Sequence, residues 1–409
     1  FFTEGYNILV NYHSNHEAAQ KFGKELKEKY PECNILILEK EGDVAFHASG
    51  RNSGVLHAGF YYTADSLKAK FCVEGNARMK QFCTEHNIPI NSCGKLVVAT
   101  NEEERLQLHE LHKRAQINGV DVKLISDEEA KEIDPNVFTY KEALWSPNTA
   151  SVNPKIVCNT LKELLITSGV EFRFSEKYRS FCKTTLTTDK QTYSVRHMIN
   201  VAGSYADKIA QQFGLAKHLT MLPFKGFYVG CKTSDLVKTH VYPVPNLKYP
   251  FLGVHYTLTA EGGLKIGPTA VPALWREQYN GLRRFSFKEC IEIAFLETKL
   301  FFTNAFNFRA LAIEEMKKYR RAYMVQLAQK MVYRSTENDF GDYKPPGIRS
   351  QLVDKKTNKL VQDFIIERFE NTTHVLNLVS PGFTCSFAFS NYVLEHYLEG
   401  SIDIVNRKT

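Results

Sequence analysis

Two short apolar runs near the N-terminus, residues 6–10 (YNILV) and 34–38 (NILIL), bracket a stretch from 18 to 30 with helical periodicity and many Lys and Glu. A run without polar alternation is buried on both faces, and for a strand that means a parallel sheet covered by helices. Strand, helix and strand at this spacing close as a right-handed βαβ unit. Helices are expected over 66–87, 102–118, 127–133, 154–169, 206–213, 287–302, 313–331 and 386–397. Strands are expected over 94–100, 171–174, 193–201, 351–353, 364–367 and 375–378, and residues 222–268 read as strands with frequent turns. The pattern predicts an α/β chain: a Rossmann-like dinucleotide-binding sheet drawn from distant segments, with a mixed-sheet domain inserted into it. The expected division is 1–90, 146–222 and 340–409 for the sheet domain, and 91–145 and 223–339 for the insertion.

A chain of 409 residues with 43% hydrophobic content can bury two cores. Its net charge of +7 is scattered, with no basic stripe interleaved with aromatics, so nucleic-acid binding is not expected. The nine cysteines include no CxxC pair and no Cys/His cluster, which argues against a metal site or a disulfide framework and for a reducing compartment. No apolar run has the length of a membrane span. The stretch 300–306 is apolar but short, and is expected in a core or an interface. A start at Phe1 rather than Met fits a processed protein.

The richest chemistry lies in His47-Ala48-Ser49-Gly50-Arg51-Asn52-Ser53-Gly54-Val55-Leu56-His57-Ala58-Gly59. Glycines and small hydroxyl residues let a backbone approach a flat ligand, and the N–H groups of such a turn can bind anionic oxygens. His57 has the proton affinity to take a proton from a hydroxyl group. Taken alone, the loop reads as solvated, with His57 bonded to backbone. Glu39 ends the second apolar run, the place where a carboxylate accepts ribose hydroxyls.

The stretch from His47 to Asn76 resembles the signature of L-2-hydroxyglutarate dehydrogenases, flavoproteins of the glycine/D-amino-acid oxidase group. Collinear similarities follow in Cys93-Gly94-Lys95-Leu96, Asn200-Val201-Ala202-Gly203 with Ala206-Asp207, Pro223-Phe224-Lys225-Gly226, Tyr242-Pro243-Val244-Pro245, Pro250-Phe251-Leu252-Gly253-Val254-His255, Gly267-Pro268-Thr269-Ala270, Pro346-Gly347-Ile348-Arg349-Ser350-Gln351 and Ser380-Pro381 with Thr384. The resemblance implies FAD as hydride acceptor and a 2-hydroxy acid as substrate. It places His57 and His255 beside the substrate, one of them as base. Arg349 would hold a carboxylate, with Lys225 where the family has Arg. Glu39, Ser49, Asn52, Ser53, Gly54, Ala202, Gly203 and Thr384 would bind the cofactor. Phe227 stands where the family has an acidic residue, and Phe383 where it has small residues.

The pattern breaks at residues 11–19 (NYHSNHEAA), where the family carries a GxGxxG turn for the pyrophosphate and this chain has no glycine. Bulky side chains and Glu17 at a helix entrance are expected to impair FAD binding. One consequence is a remodelled turn in which His13 or His16 meets the phosphates. The other, favoured by the break, is a retired catalyst serving as an accessory structural subunit of a mitochondrial membrane-protein assembly, such as one of the respiratory chain. The alternative is an active FAD-dependent dehydrogenase in the mitochondrial matrix or at the inner membrane.

Overall fold

The two apolar runs are neighbouring parallel strands. The structure, a computed structural model, describes residues 3–12, 16–245 and 251–398, and for residues 3–7, 9, 11, 12, 16 and 17 the backbone only. It has two compact units: residues 1–52, 154–221 and 350–409, and residues 53–153 and 222–349.

In the first unit, strand β1 (Thr3–Tyr12) is followed by helix α1 (His16–Lys29) and strand β2 (Ile35–Glu39). The parallel strands run in the order Thr372–Leu376, Thr192–Asn200, β1, β2, Glu171–Arg173. Ile8 lies opposite Ile35 and His197, and Val10 opposite Ile37 and Ile199. Every residue of β2 is buried, which is why its sequence does not alternate. Burying Ile35, Leu36, Ile37 and Leu38 contributes roughly 1.5–3 kcal/mol each. Helix α1 packs against helices Pro154–Thr167 and Gly382–Val393, and Gln20 Nε2 donates to the Cys158 carbonyl at 2.8 Å. Two antiparallel pieces not foreseen, Tyr178–Cys182 and Thr185–Thr188, extend the sheet beside Thr192–Asn200.

The second unit holds a mixed sheet in the order Phe340–Asp354, Leu219–Cys231, Leu264–Gly267, His255–Leu258, His240–Pro243, Lys95–Val98, Glu142–Ser146, Lys123–Ser126. Within it Lys95–Val98 and His240–Pro243 are parallel, while the pairings of Lys95–Val98 with Glu142–Ser146 and of His240–Pro243 with His255–Leu258 are antiparallel. A three-stranded sheet joins Val55–Leu56, Ala150–Val152 and Ile90–Asn91. Its helices start where capping chemistry dictates. Ser66 accepts from Ala69 N–H ahead of Leu67–Glu85, Asn101 accepts from Glu104 N–H ahead of Glu102–Ile117, and Ser126 with Glu129 makes a capping box for Asp127–Ile133.

Three element expectations are corrected. The helix expected over 313–331 is two helices, Phe308–Lys317 and Arg321–Gln329, because the backbone turns extended at Arg320, which caps the second. The C-terminal helix begins earlier, at Gly382. The strand expected over 351–353 is the end of a 15-residue strand, Phe340–Asp354, that continues through Pro345, Pro346 and Gly347 where the sequence reads as a break. Helix Phe287–Thr303 buries Ile293, Leu296 and Leu300 but exposes Phe287, Ile291, Phe295 and Phe302 on the other side. The 300–306 stretch is therefore split between core and surface.

Candidate active site

The second unit gathers a group of buried cations and imidazoles. His57 follows strand Val55–Leu56, and its position is held by Asn76 of helix Leu67–Glu85, whose Nδ2 donates to the carbonyls of Leu56 at 3.0 Å and His57 at 3.1 Å. His255 opens strand His255–Leu258. Its Nδ1 donates to the Gly253 carbonyl at 2.7 Å, which leaves the lone pair on Nε2, and its ring stacks on Tyr242 at 3.7 Å between centroids. His240 accepts the Leu258 N–H at its Nδ1, 3.2 Å. Burial holds all three imidazoles neutral: His57 well below the usual histidine range, His240 and His255 down to about 3. The positive charge of Lys95 acts in the same direction on each of them.

Lys95 lies in the Cys93-Gly94-Lys95-Leu96 stretch, to which the sequence gave no role, and it is as enclosed as any group here. It is fully buried, its Nζ lies 4.5, 4.6 and 5.1 Å from the ring centres of Phe60, Tyr61 and Tyr242, and burial pulls it down to about 7. The signal available beforehand was a lysine opening the otherwise apolar strand Lys-Leu-Val-Val, directly after Gly94. Gly94 has φ +68°, and a Cβ there would lie 2.1 Å from the Trp145 ring, so only glycine delivers the chain into this strand. The register then sets Lys95 beside His240.

Arg349 has its guanidinium carbon 5.1 Å from the centre of the Phe251 ring, which in turn contacts Phe224 at 4.7 Å, and burial lowers it to about 10. Its positive charge also acts on His57. Lys225 lies 5.0 Å over the Phe227 ring and is lowered by burial, and Phe227 packs between Tyr319 and Tyr343. The residue standing in the family's acidic position is thus part of an aromatic cluster. Ser53 and Gly54, also in this unit, lie on the loop before Val55: Ser53 Oγ accepts the Val55 N–H and the Gly54 carbonyl accepts the Val152 N–H.

The remaining candidates belong to the first unit. Glu39 is fully buried at the C-terminal end of β2, one oxygen accepting the Glu41 N–H at 2.6 Å. Ser49 is buried in a short 3-10 turn, and Asn52 Nδ2 bonds back to the carbonyls of Ala48 and Ser49. Ala202 and Gly203 follow strand Thr192–Asn200. Asn200 shapes that exit by accepting the Ala202 N–H and donating to Ala206, and Gly203 has φ +51°. Thr384 is buried in the first turn of Gly382–Val393. Phe383, in the same turn, lies 5.0 Å from the Lys21 ammonium of α1. A fully buried carboxylate at the C-terminal end of a parallel strand, and a tight glycine exit after another, fit the adenosine half of a flavin dinucleotide. His13, with Ser14 and Asn15, lies outside the described residues, as does the side chain of His16, and so does Pro250.

The family described as FAD dependent oxidoreductase (DAO) matches residues 25–395. A mitochondrial L-2-hydroxyglutarate dehydrogenase from Nematostella vectensis is 34% identical across 92% of this chain and 87% of its own. The L-2-hydroxyglutarate dehydrogenase of Escherichia coli K12 is 31% identical across 90% and 88%. Mitochondrial and bacterial relatives match to similar degrees, so these likenesses carry no compartment with them. Among solved structures, L-alpha-glycerophosphate oxidase from Mycoplasma pneumoniae superimposes with a TM-score of 0.73 at 22% identity, covering 96% of this chain and 95% of that one. Glycine oxidase from Geobacillus kaustophilus gives 0.67 at 17%, over 96% and 94%. The expected scaffold and family are thereby established: the chain belongs to the DAO family of FAD dependent oxidoreductases, and relatives similar to it over most of its length bear the name L-2-hydroxyglutarate dehydrogenase.

Proposed function

We propose that the protein is an FAD-dependent dehydrogenase that oxidises L-2-hydroxyglutarate, or a close 2-hydroxy acid, to the 2-oxo acid. One observation carries the reading: the second unit encloses Lys95 and Arg349 beside the neutral imidazoles of His57 and His255, an arrangement made for an anion carrying a hydroxyl group. Glu39, Ser49, Asn52, Ser53, Gly54, Ala202, Gly203 and Thr384 are the residues assigned to FAD. Bound FAD would supply the acceptor for the hydride leaving C2.

The chain's own residues do the rest. Arg349 grips the carboxylate next to C2 in a two-pronged contact, and Lys225 supports it as a point charge. The hydroxyl proton passes to one imidazole of the His57/His255 pair as the C–O bond becomes a carbonyl. His255 is prepared for this by its Nδ1–H bond to Gly253, which keeps the Nε2 lone pair available. A base held as low as about 3 is weak on its own. Two incoming carboxylates cancel the surrounding positive charge and raise it, so proton affinity develops only when substrate is present.

A second reading has its own support. Residues 11–19 contain no glycine, and helix Phe287–Thr303 turns an apolar stripe outward, features of a non-catalytic subunit docked on a partner. A mitochondrial location is part of both readings, in line with the names of the animal relatives. Purification separates them. The dehydrogenase reading expects a yellow protein that reduces a dye with L-2-hydroxyglutarate. A colourless protein that gains flavin only after Ser14→Gly, His16→Gly and Ala19→Gly, and otherwise co-purifies stoichiometrically with a membrane complex, decides for the subunit.

A further inference from the structure

L-2-hydroxyglutarate carries two carboxylates, and one guanidinium grips one of them in its fork. Lys95 and Tyr61 supply what the other needs. The Lys95 Nζ and the Tyr61 hydroxyl are both buried, and among the described residues neither has a hydrogen-bond partner. Among the described residues, the titratable groups acting on them are the imidazoles of His57, His240 and His255, the Cys72 thiol and the Tyr242 phenol, and none of these is a carboxylate. The faces of Phe60, Tyr61 and Tyr242 offset part of the cost of an enclosed ammonium but do not replace an oxygen acceptor for its N–H groups. Two adjacent enclosed donors with no acceptor are costly unless a ligand completes them.

We propose that Lys95 and Tyr61 receive the second carboxylate of a dicarboxylic 2-hydroxy acid and so set the preference for dicarboxylates over monocarboxylates. This deepens the dehydrogenase reading and rests on it. A bound carboxylate also restores the lysine's charge. Because free Lys95 lies at about 7, binding takes up a proton above that pH and little below it.

The test is calorimetry on the purified full chain with glutarate and with pentanoate, neither of which can be oxidised at C2, in buffers of different ionisation enthalpy. Glutarate is expected to bind with proton uptake at about pH 8, and that uptake is expected to be lost in Lys95→Met. Lys95→Met is expected to weaken glutarate about 100-fold and pentanoate less than about threefold. Tyr61→Phe, which removes one oxygen and is safe for folding, is expected to weaken glutarate alone, about tenfold. Equal losses for both acids, or an unchanged glutarate affinity in either variant, overturn the assignment. The measurement needs no turnover, so a protein that binds glutarate through Lys95 but never oxidises L-2-hydroxyglutarate counts against the dehydrogenase reading alone.

Discussion

Lys95 shows how one side chain can set function against stability. Its folded value of about 7 lies below the ordinary 10.5. The unfolded chain therefore binds the extra proton, and stability rises as pH climbs from 7 toward 10.5. Below pH 7 the penalty is complete, on the order of 3–5 kcal/mol. Lys95→Met is accordingly expected to raise the urea midpoint at pH 6, with the gain shrinking toward pH 10. A variant no more stable than the parent at pH 6 would show that the ammonium is better satisfied than its surroundings suggest. Histidine behaves differently. In the pair His57 and His255, the variant that removes the base is expected to lower kcat by roughly 100-fold or more and abolish the acid limb of the kcat/KM profile, while the other mainly raises KM. His57→Gln and His255→Gln assayed from pH 5 to 9 decide which is which. Similar profiles for both would refute a single base.

Elements place these side chains. The two-residue strand Val55–Leu56 is too short to hold His57 by its own ladder, and Asn76, from a helix about twenty positions on, bridges the carbonyls of Leu56, His57 and Asn148. Asn76→Ala removes the amide donor shared by the buried Leu56 and His57 carbonyls, leaving His57 only the weaker Cys72 thiol, so a loss of about 1–3 kcal/mol and a fall in kcat larger than the change in KM are expected. An unaltered melting temperature would mean water replaces the amide at no cost. On helix Phe287–Thr303, Phe287, Ile291, Phe295 and Phe302 share one exposed arc opposite the buried Ile293, Leu296 and Leu300. Phe295→Asp with Phe302→Asp is expected to leave the melting temperature within about 1–2 °C, since neither ring is in the core. It is also expected to reduce retention on an apolar chromatography matrix. Unchanged retention would show that this arc is not the sticky surface of the molecule.

Across the whole chain, the buried neutral histidines make acid the weak side. His197, His240 and His255 sit at about 3 and His374 at about 4, with His57 well below its ordinary 6.5. Each folded value is below the unfolded one, so unfolding takes up protons and stability falls as pH drops from 6.5 toward 3. Denaturation midpoints are expected to decline steeply over that window and to stay level from 7 to 8 in a Lys95→Met background. A flat profile between pH 6 and 4 would contradict neutral burial of these rings. Because the histidines are spread over both units, two separate acid transitions would be equally informative about how independently the units unfold.

The amino-acid sequence by itself determined the βαβ opening, the helices starting near residues 66, 102 and 127, and the family, because these depend on local periodicity and collinear motifs. It named Glu39, His57, His255 and Arg349 through resemblance, but could not see Lys95 as part of their neighbourhood. That required the pairing of Lys95–Val98 with His240–Pro243, strands about 145 positions apart, in a register that no local pattern encodes. Tertiary structure also decided the neutral state of the imidazoles. A histidine's charge depends on how much water and how many cations surround it, and both are settled only when distant segments pack.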